Sequence, residues 1–279
     1  MSTPVAAVRP VPIRLVAIDL DGTLLDANKK VGTKTADALR ELHETTDVRI
    51  VLATARPPRS VRPIYRELRL DTWQVNYNGA LIWDEPAGRA HFHRPMPGKL
   101  CLEMCQLARD LFDEVLIHAE IMDKWFTDRR DDAHTTETGK LFEPDAVGPI
   151  DDFCRFPVTK LMMLGEPAIL TRIETALLDT FADDVGILHT DRDLLQIMDK
   201  RVSKGVALSK VAGHFGIRPS QTLAIGDNLN DAGMMTWAGR SVAMGNAHKH
   251  IKKLANWTAP TNDEDGVHAA LEWAQLLQK

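Results

Sequence analysis

The feature that most constrains this chain is a short apolar run that ends in two acids. Leu15-Val16-Ala17-Ile18 is compact and aliphatic, the pattern of a strand buried on both faces of a parallel sheet. Asp19 and Asp21 follow at alternate positions, with Gly22 and Thr23 directly after. Positions i and i+2 of an extended chain share a side. Both acids therefore face one way at the carboxyl end of a strand, where open α/β sheets carry their chemistry. A plain polar turn also uses Asp and Gly, so the rest of the chain has to decide between the two readings.

The strand-helix rhythm continues on both sides of a long interruption. Ala36, Leu39 and Leu42 give residues 33–44 a helical period, and residues 48–53 form a second buried strand that runs into Thr54-Ala55-Arg56. A helix to Leu68 follows, then strand-like runs at 74–77 and 80–83 around Asn78-Gly79, a strong hairpin signal. Residues 85–98, rich in Pro, Gly and His, read as a linker or a domain boundary. Beyond it the pattern predicts helices over 100–112 and 167–181. Strands are expected at 114–119, 124–127, 159–164, 185–189 and 194–198, with an irregular stretch at 128–149. This part is α+β in character. The first rhythm returns with a helix over 203–215, capped by Ser203 and ended by Gly216. A third buried strand, Thr222-Leu223-Ala224-Ile225-Gly226, then leads into Asp227-Asn228-Leu229-Asn230-Asp231. A short helix over 232–238, strands at 241–244 and 256–258, the acidic loop 262–266 and a helix over 267–277 complete the chain. The predicted fold is α/β: a Rossmann-like parallel-sheet core from residues 1–84 and 190–279, with an α+β domain inserted over 85–189.

Composition narrows the function classes. A formal net charge of −5 argues against a nucleic-acid partner, which calls for a basic excess. No apolar run approaches the ~20 residues that span a bilayer, so no membrane partner is expected. The first twelve residues carry three prolines and lack the apolar centre of a secretory signal. With three cysteines, Cys101, Cys105 and Cys154, read as buried small hydrophobes in a reducing compartment, a cytoplasmic location is expected.

Four polar patches share comparable places: Asp19/Asp21, Thr54, Lys204 and Asp227/Asp231. Lys204 falls in the first turn of its helix, where the macrodipole disfavours a cation unless an anion is brought near. Converging carboxylates repel by up to ~4 kcal/mol per close pair at an effective dielectric near 20, a cost that a divalent cation removes. Carboxylate and water oxygens with a substrate phosphate suit Mg²⁺, and Thr54 and Lys204 suit phosphate oxygens. Together these groups describe phosphoryl transfer through an aspartyl-phosphate.

Asp19-Leu20-Asp21-Gly22-Thr23, Thr54, Lys204 and Gly226-Asp227-Asn228-Leu229-Asn230-Asp231 resemble the four motifs of the haloacid dehalogenase (HAD) superfamily. An insertion between the second and third motifs is similar to the Cof-like branch, as are Asn78-Gly79-Ala80, Val202-Ser203-Lys204-Gly205 and Asn262-Asp263-Glu264-Asp265-Gly266-Val267. One departure is Ala55, where relatives carry Gly. The resemblance implies a HAD fold with an inserted cap domain and a Mg²⁺-dependent phosphatase of a small phosphorylated metabolite, a sugar phosphate or cofactor phosphate monoester. It implies Asp19 as nucleophile and Asp21 as general acid and base. Mg²⁺ would be held by Asp19, the Asp21 carbonyl and Asp227, with Asp231 assisting at the metal through water or by orienting its neighbours. Thr54, Lys204, Asn230 and the N–H groups of Leu20 and Ala55 would hold the phosphoryl oxygens.

A phosphomutase of the same fold is the alternative enzyme reading, and a phospho-accepting signalling domain is the alternative of another class. Signalling domains of that kind are about half this length and lack the inserted domain. The expected partner is a small-molecule phosphate ester, with the chain a monomer or homodimer. His118, Trp125, Arg129, Arg130 and Lys160 fall in the inserted region and are candidates either for contact with the leaving group or for packing.

Overall fold

The computed structural model describes residues 11–131 and 139–277. In chain order the first elements are β1 (Leu15–Ile18), α1 (Thr33–Thr45), β2 (Arg49–Leu52), α2 (Pro58–Glu67), β3 (Gln74–Asn76), β4 (Leu81–Asp84) and β5 (Arg89–His93). There follow α3 (Gly98–Leu111), β6 (Leu116–Ile121), β7 (Lys124–Thr127), β8 (Ala146–Val147), α4 (Ile150–Phe153), β9 (Lys160–Leu164), α5 (Pro167–Phe181), β10 (Val185–Asp191) and β11 (Leu194–Asp199). The last are α6 (Lys204–His214), β12 (Thr222–Gly226), α7 (Ala232–Trp237), β13 (Arg240–Ala243), α8 (Lys249–Leu254), β14 (Trp257–Thr258) and α9 (Gly266–Trp273). The chain divides into two compact units. One contains the chain up to Leu52, Leu68–Thr72 and everything from Leu208, and the other contains Ala53–Glu67 and Trp73–Ala207.

The first unit is built on a five-stranded sheet of order β14-β13-β12-β1-β2, and each of its pairings is parallel. β1 lies inside it, and all four of its residues are fully buried, as the unbroken apolar run requires. Ile18 pairs with Ile225 on one side and Leu52 on the other, so β1 and β12 end level and their following residues emerge at one edge. On α1 the expected apolar face, Ala36, Leu39 and Leu42, is buried. Two expectations shift at the C-terminal end. α9 stops at Trp273 because Gln275 turns left-handed, with φ +61°, a conformation that ends a helix. α8 was not foreseen: it has six residues and buries only Ile251, too little for a periodic signal.

The second unit contains a six-stranded sheet, β10-β11-β9-β6-β7-β8, and a three-stranded sheet, β3-β4-β5. All pairings in the larger sheet are antiparallel except β7 with β8. Alternate residues of β6, β9 and β11 (Ile117, Ala119, Leu161, Met163, Leu195 and Ile197) pack with one face each of α3 and α5. The three cysteines are free and buried, all within this core. The hairpin β10–β11 crosses residue 190, the expected domain boundary, and keeps both its strands in one sheet.

The segment expected as a linker at 85–98 instead carries β5, antiparallel to β4. Its residues are half-exposed, so a polar, His-rich strand resembled a linker. The Asn78-Gly79 turn is also wider than a two-residue hairpin, since Asn76 pairs with Leu81. Tyr77, Asn78 and Gly79 all have positive φ, at +50°, +54° and +104°. A Cβ at Gly79 would stand 2.3 Å from the carbonyl oxygen of Ser203, so this position needs glycine for both its conformation and its neighbour. Of the expected irregular stretch, residues 132–138 lie outside the described residues.

Candidate active site

The level ends of β1 and β12 bring the first acids together. The Asp19 N–H donates to the Ile225 carbonyl at 3.1 Å, which extends the strand pairing one residue past β1. Asp19, Asp227 and Asp231 each present a carboxylate oxygen within 4.8 Å of the others, with Asp19 and Asp231 buried. At that spacing each pair of charges repels by about 3–4 kcal/mol at an effective dielectric of 20. Asp231 is partly compensated, because its Oδ2 accepts the backbone N–H groups of Asp227 at 2.9 Å and Asn228 at 3.0 Å. That arrangement fixes the loop between β12 and α7. It also explains Gly226, where a Cβ would stand 2.6 Å from the Asp231 carboxyl carbon.

The loop after β1 is bound to the same cluster. Thr23 Oγ1 donates to Asp227 Oδ1 at 2.9 Å. Gly22 has φ +80°, and a Cβ there would meet Asp227 Oδ2 at 2.5 Å. Asp21 lies outside the carboxylate cluster: it is partly exposed and pairs with Lys29 Nζ at 2.8 Å. Thr23, Lys29 and Asn246, whose Nδ2 donates to the Gly22 carbonyl at 2.8 Å, are site neighbours that sequence reasoning missed. Thr23 was legible in retrospect, since a hydroxyl next to a crowded carboxylate needs an acceptor. The other two depend on loop geometry.

The acidic loop 262–266 has a positioning role. The Asp263 side chain accepts the Ala27 N–H at 2.9 Å, Asn262 Nδ2 donates to the Leu25 carbonyl at 2.9 Å, and Asp265 accepts from Thr35 Oγ1 at 3.2 Å. It thus holds the segment between β1 and α1.

The remaining predicted residues are placed as follows. Leu20 is fully buried and Asn230 is exposed beside Asp231, both in the first unit. Thr54, Ala55 and Lys204 belong to the second. Thr54 is buried, and its Oγ1 accepts the Arg56 N–H at 3.1 Å. Its backbone N–H donates to Val75 and its carbonyl accepts from Asn78, at 2.8 and 2.9 Å. Ala55 lies between these anchors and is partly exposed. Lys204 opens α6 and is fully buried, an expensive place for an ammonium unless its charge is matched.

Among the inserted-region candidates, Arg129 donates to the carbonyls of Glu114 and Val115, and Arg130 pairs with Glu143 at the surface. Both serve this unit's own structure. Burial pulls the His118 imidazole down to about 4, and His118 lies against Trp125 with ring centroids 5.2 Å apart. Lys160 is buried, with Nζ 5.2 Å from the centre of the Tyr77 ring and 3.9 Å from Glu120. Burial lowers its ammonium pKa against the pull of Glu120.

The sequence profile of the haloacid dehalogenase-like hydrolases matches residues 16–271. The chain belongs to that family. As a HAD-type hydrolase it aligns along nearly its full length with phosphatases. It is 30% identical to a putative phosphatase of Streptococcus pyogenes serotype M6, covering 94% of this chain and 98% of that protein. It is 29% identical to the 5-amino-6-(5-phospho-D-ribitylamino)uracil phosphatase YitU of Bacillus subtilis, over 91% of this chain and 94% of the relative. Its fold superposes with a TM-score of 0.84 on a haloacid dehalogenase-like hydrolase from Bacteroides thetaiotaomicron, at 27% identity and 94% and 99% coverage. No helix among the described residues is long and apolar enough to cross a membrane.

Proposed function

We propose that the chain hydrolyses a small phosphorylated metabolite with Mg²⁺ as cofactor and Asp19 as nucleophile. The observation that carries this reading is the convergence of Asp19 with Asp227 and Asp231 where β1 and β12 end together. YitU, a full-length relative, is named for a phosphorylated ribityl compound, which supports a small phosphate monoester as substrate.

The residues present fit a hard divalent cation. Three carboxylates within 4.8 Å of one another are an all-oxygen donor set of the kind Mg²⁺ takes, and their mutual repulsion gives the cluster a reason to bind one. Asp19, Asp227 and the Asp21 carbonyl would hold it, with Asp231 orienting Asp227 through the loop it caps. When bound, the cation would offset the negative charge of the carboxylates and the phosphoryl group.

In the first half-reaction an Asp19 oxygen bonds to phosphorus while the bond to the leaving oxygen breaks. Asp21 gives that oxygen its proton. In the second, Asp21 takes a proton from water, whose oxygen bonds to phosphorus as the acyl-phosphate bond breaks, releasing phosphate and restoring Asp19. Thr54, Lys204, Asn230 and the N–H groups of Leu20 and Ala55 hold the phosphoryl oxygens. The inserted domain over 85–189 acts as a cap that excludes bulk water.

Phosphate release from p-nitrophenyl phosphate, with Mg²⁺ and with EDTA, tests the reading in wild type and Asp19→Asn. The expected result is metal-dependent release by wild type alone. Equal release by both proteins would remove Asp19 as nucleophile, and isomerisation of a sugar phosphate without free phosphate would favour the mutase chemistry.

A further inference from the structure

The polar cluster of buried Glu120 and half-buried Asp123 lies outside the residues assigned to the reaction, yet it touches the segment that carries Thr54 from two sides. On one side is the start of α2. Pro57 precedes this helix and offers no side-chain oxygen to its first turn. The Arg59 N–H instead donates to Asp123 Oδ1 at 2.7 Å, sixty-four residues away in sequence, at the tip of the β6–β7 hairpin. The other oxygen of Asp123 pairs with Arg62 at 2.9 Å. A carboxylate at a helix N-terminus satisfies an otherwise free donor and opposes the helix dipole.

On the other side is Tyr77. Its hydroxyl, with a single proton to share, lies within hydrogen-bond reach of Glu120 and of the Met122 carbonyl, the latter at 2.6 Å. Arg59 Nη2 stands 2.9 Å from Glu120. Thr54-Ala55-Arg56 runs between these two anchor points. The Thr54 carbonyl accepts from Asn78 at 2.9 Å, and the Arg56 carbonyl accepts from Tyr77 N–H at 3.4 Å and Asn76 Nδ2 at 3.2 Å. The Thr54 hydroxyl accepts the N–H of Arg56, just before the turn into α2. Met122 has φ +53°, which brings the carbonyl and Asp123 to the hairpin's tip.

We propose that the tip of the β6–β7 hairpin positions the Thr54–Arg56 loop for phosphate, with Asp123 acting through α2 and with Glu120 and the Met122 carbonyl acting through Tyr77. Asp123 and Glu120 are positioning residues: neither is placed on the substrate. The proposal rests on the reading of Thr54 as a phosphate ligand.

The test compares wild type with Asp123→Ala, Asp123→Asn, Tyr77→Phe and Thr54→Ala, reading kcat and KM for p-nitrophenyl phosphate and inhibition by inorganic phosphate. Inorganic phosphate has no leaving group, so it reports the phosphoryl-binding residues without any contact to a leaving group. Asp123→Ala should weaken phosphate inhibition and raise KM together by about 3- to 10-fold, the size expected for a lost helix cap. Asp123→Asn, which can still accept the Arg59 N–H, should recover most of the affinity. Tyr77→Phe should shift both constants in the same direction by less, and stands in for Asp123→Ala if that variant does not fold. Wild-type phosphate inhibition in Asp123→Ala or, failing that variant, in Tyr77→Phe, beside a weakened Thr54→Ala, overturns the proposal. Unchanged inhibition in Thr54→Ala overturns the assignment of Thr54 itself, and the proposal with it.

Discussion

The two units place their charged residues in opposite ways. In the parallel-sheet unit the two strands that carry the acids are apolar inside, and the acids come just after them: Asp19 after β1, Asp227 and Asp231 after β12. In the other unit, charged and polar residues stand within the strands. His118 and Glu120 are in β6 and Lys160 is in β9, all buried. An acid past a strand end needs no partner from its own sheet and is left to do chemistry. A charge inside a strand must be matched by a neighbour that the register supplies, as Lys160 is by Glu120 across β9 and β6. Substitutions in the first set should therefore change turnover, and those in the second should change stability or loop position.

The largest effect expected is on turnover. Asp19→Asn should lower kcat by about 10⁴-fold or more, the scale seen when a covalent nucleophile is removed. Its urea midpoint should be no lower than wild type, because the substitution relieves a crowded carboxylate. A large loss of stability would break the comparison. Next is Glu120→Ala, which strips Arg59 and Lys160 of their shared carboxylate and should cost roughly 3–5 kcal/mol in urea unfolding. A cost below 1 kcal/mol would mean that the strand charges are not matched by register.

His118 supplies a pH test of about 3 kcal/mol at most. Burial holds it at about 4, below the 6.5 of an ordinary imidazole, so unfolding takes up a proton between those values. Its contribution is complete above pH 6.5 and is lost as pH falls toward 4. His118→Gln should flatten that part of the wild-type stability curve, and an unchanged slope would contradict the assignment. The smallest effect belongs to Arg130→Ala. The Arg130–Glu143 pair is more than half exposed on both sides, and its loss should cost less than about 1 kcal/mol.

The same contrast explains what could be read in advance. The buried run at β1 and the Asp-x-Asp-Gly-Thr motif are local, so a few consecutive residues disclosed the strand, its polarity and its acids. Thr222–Gly226 was legible for the same reason. Asp123 was not: its partner Arg59 is distant in sequence, and only a hairpin bent at Met122 brings them together. Glu120 is hidden likewise, because a buried charge within a strand looks like a surface residue until its register is known. β5 was lost to the opposite ambiguity, a half-exposed strand whose polar residues read as a linker.

The central claim is that Asp19 carries the phosphoryl group between the two half-reactions. Acid quenching of the enzyme during turnover of p-nitrophenyl phosphate with Mg²⁺, followed by peptide mass analysis, tests it directly. The account predicts a phosphoryl adduct on the peptide containing Asp19, absent from Asp19→Asn. An adduct on another residue, or sustained turnover by Asp19→Asn, would contradict it.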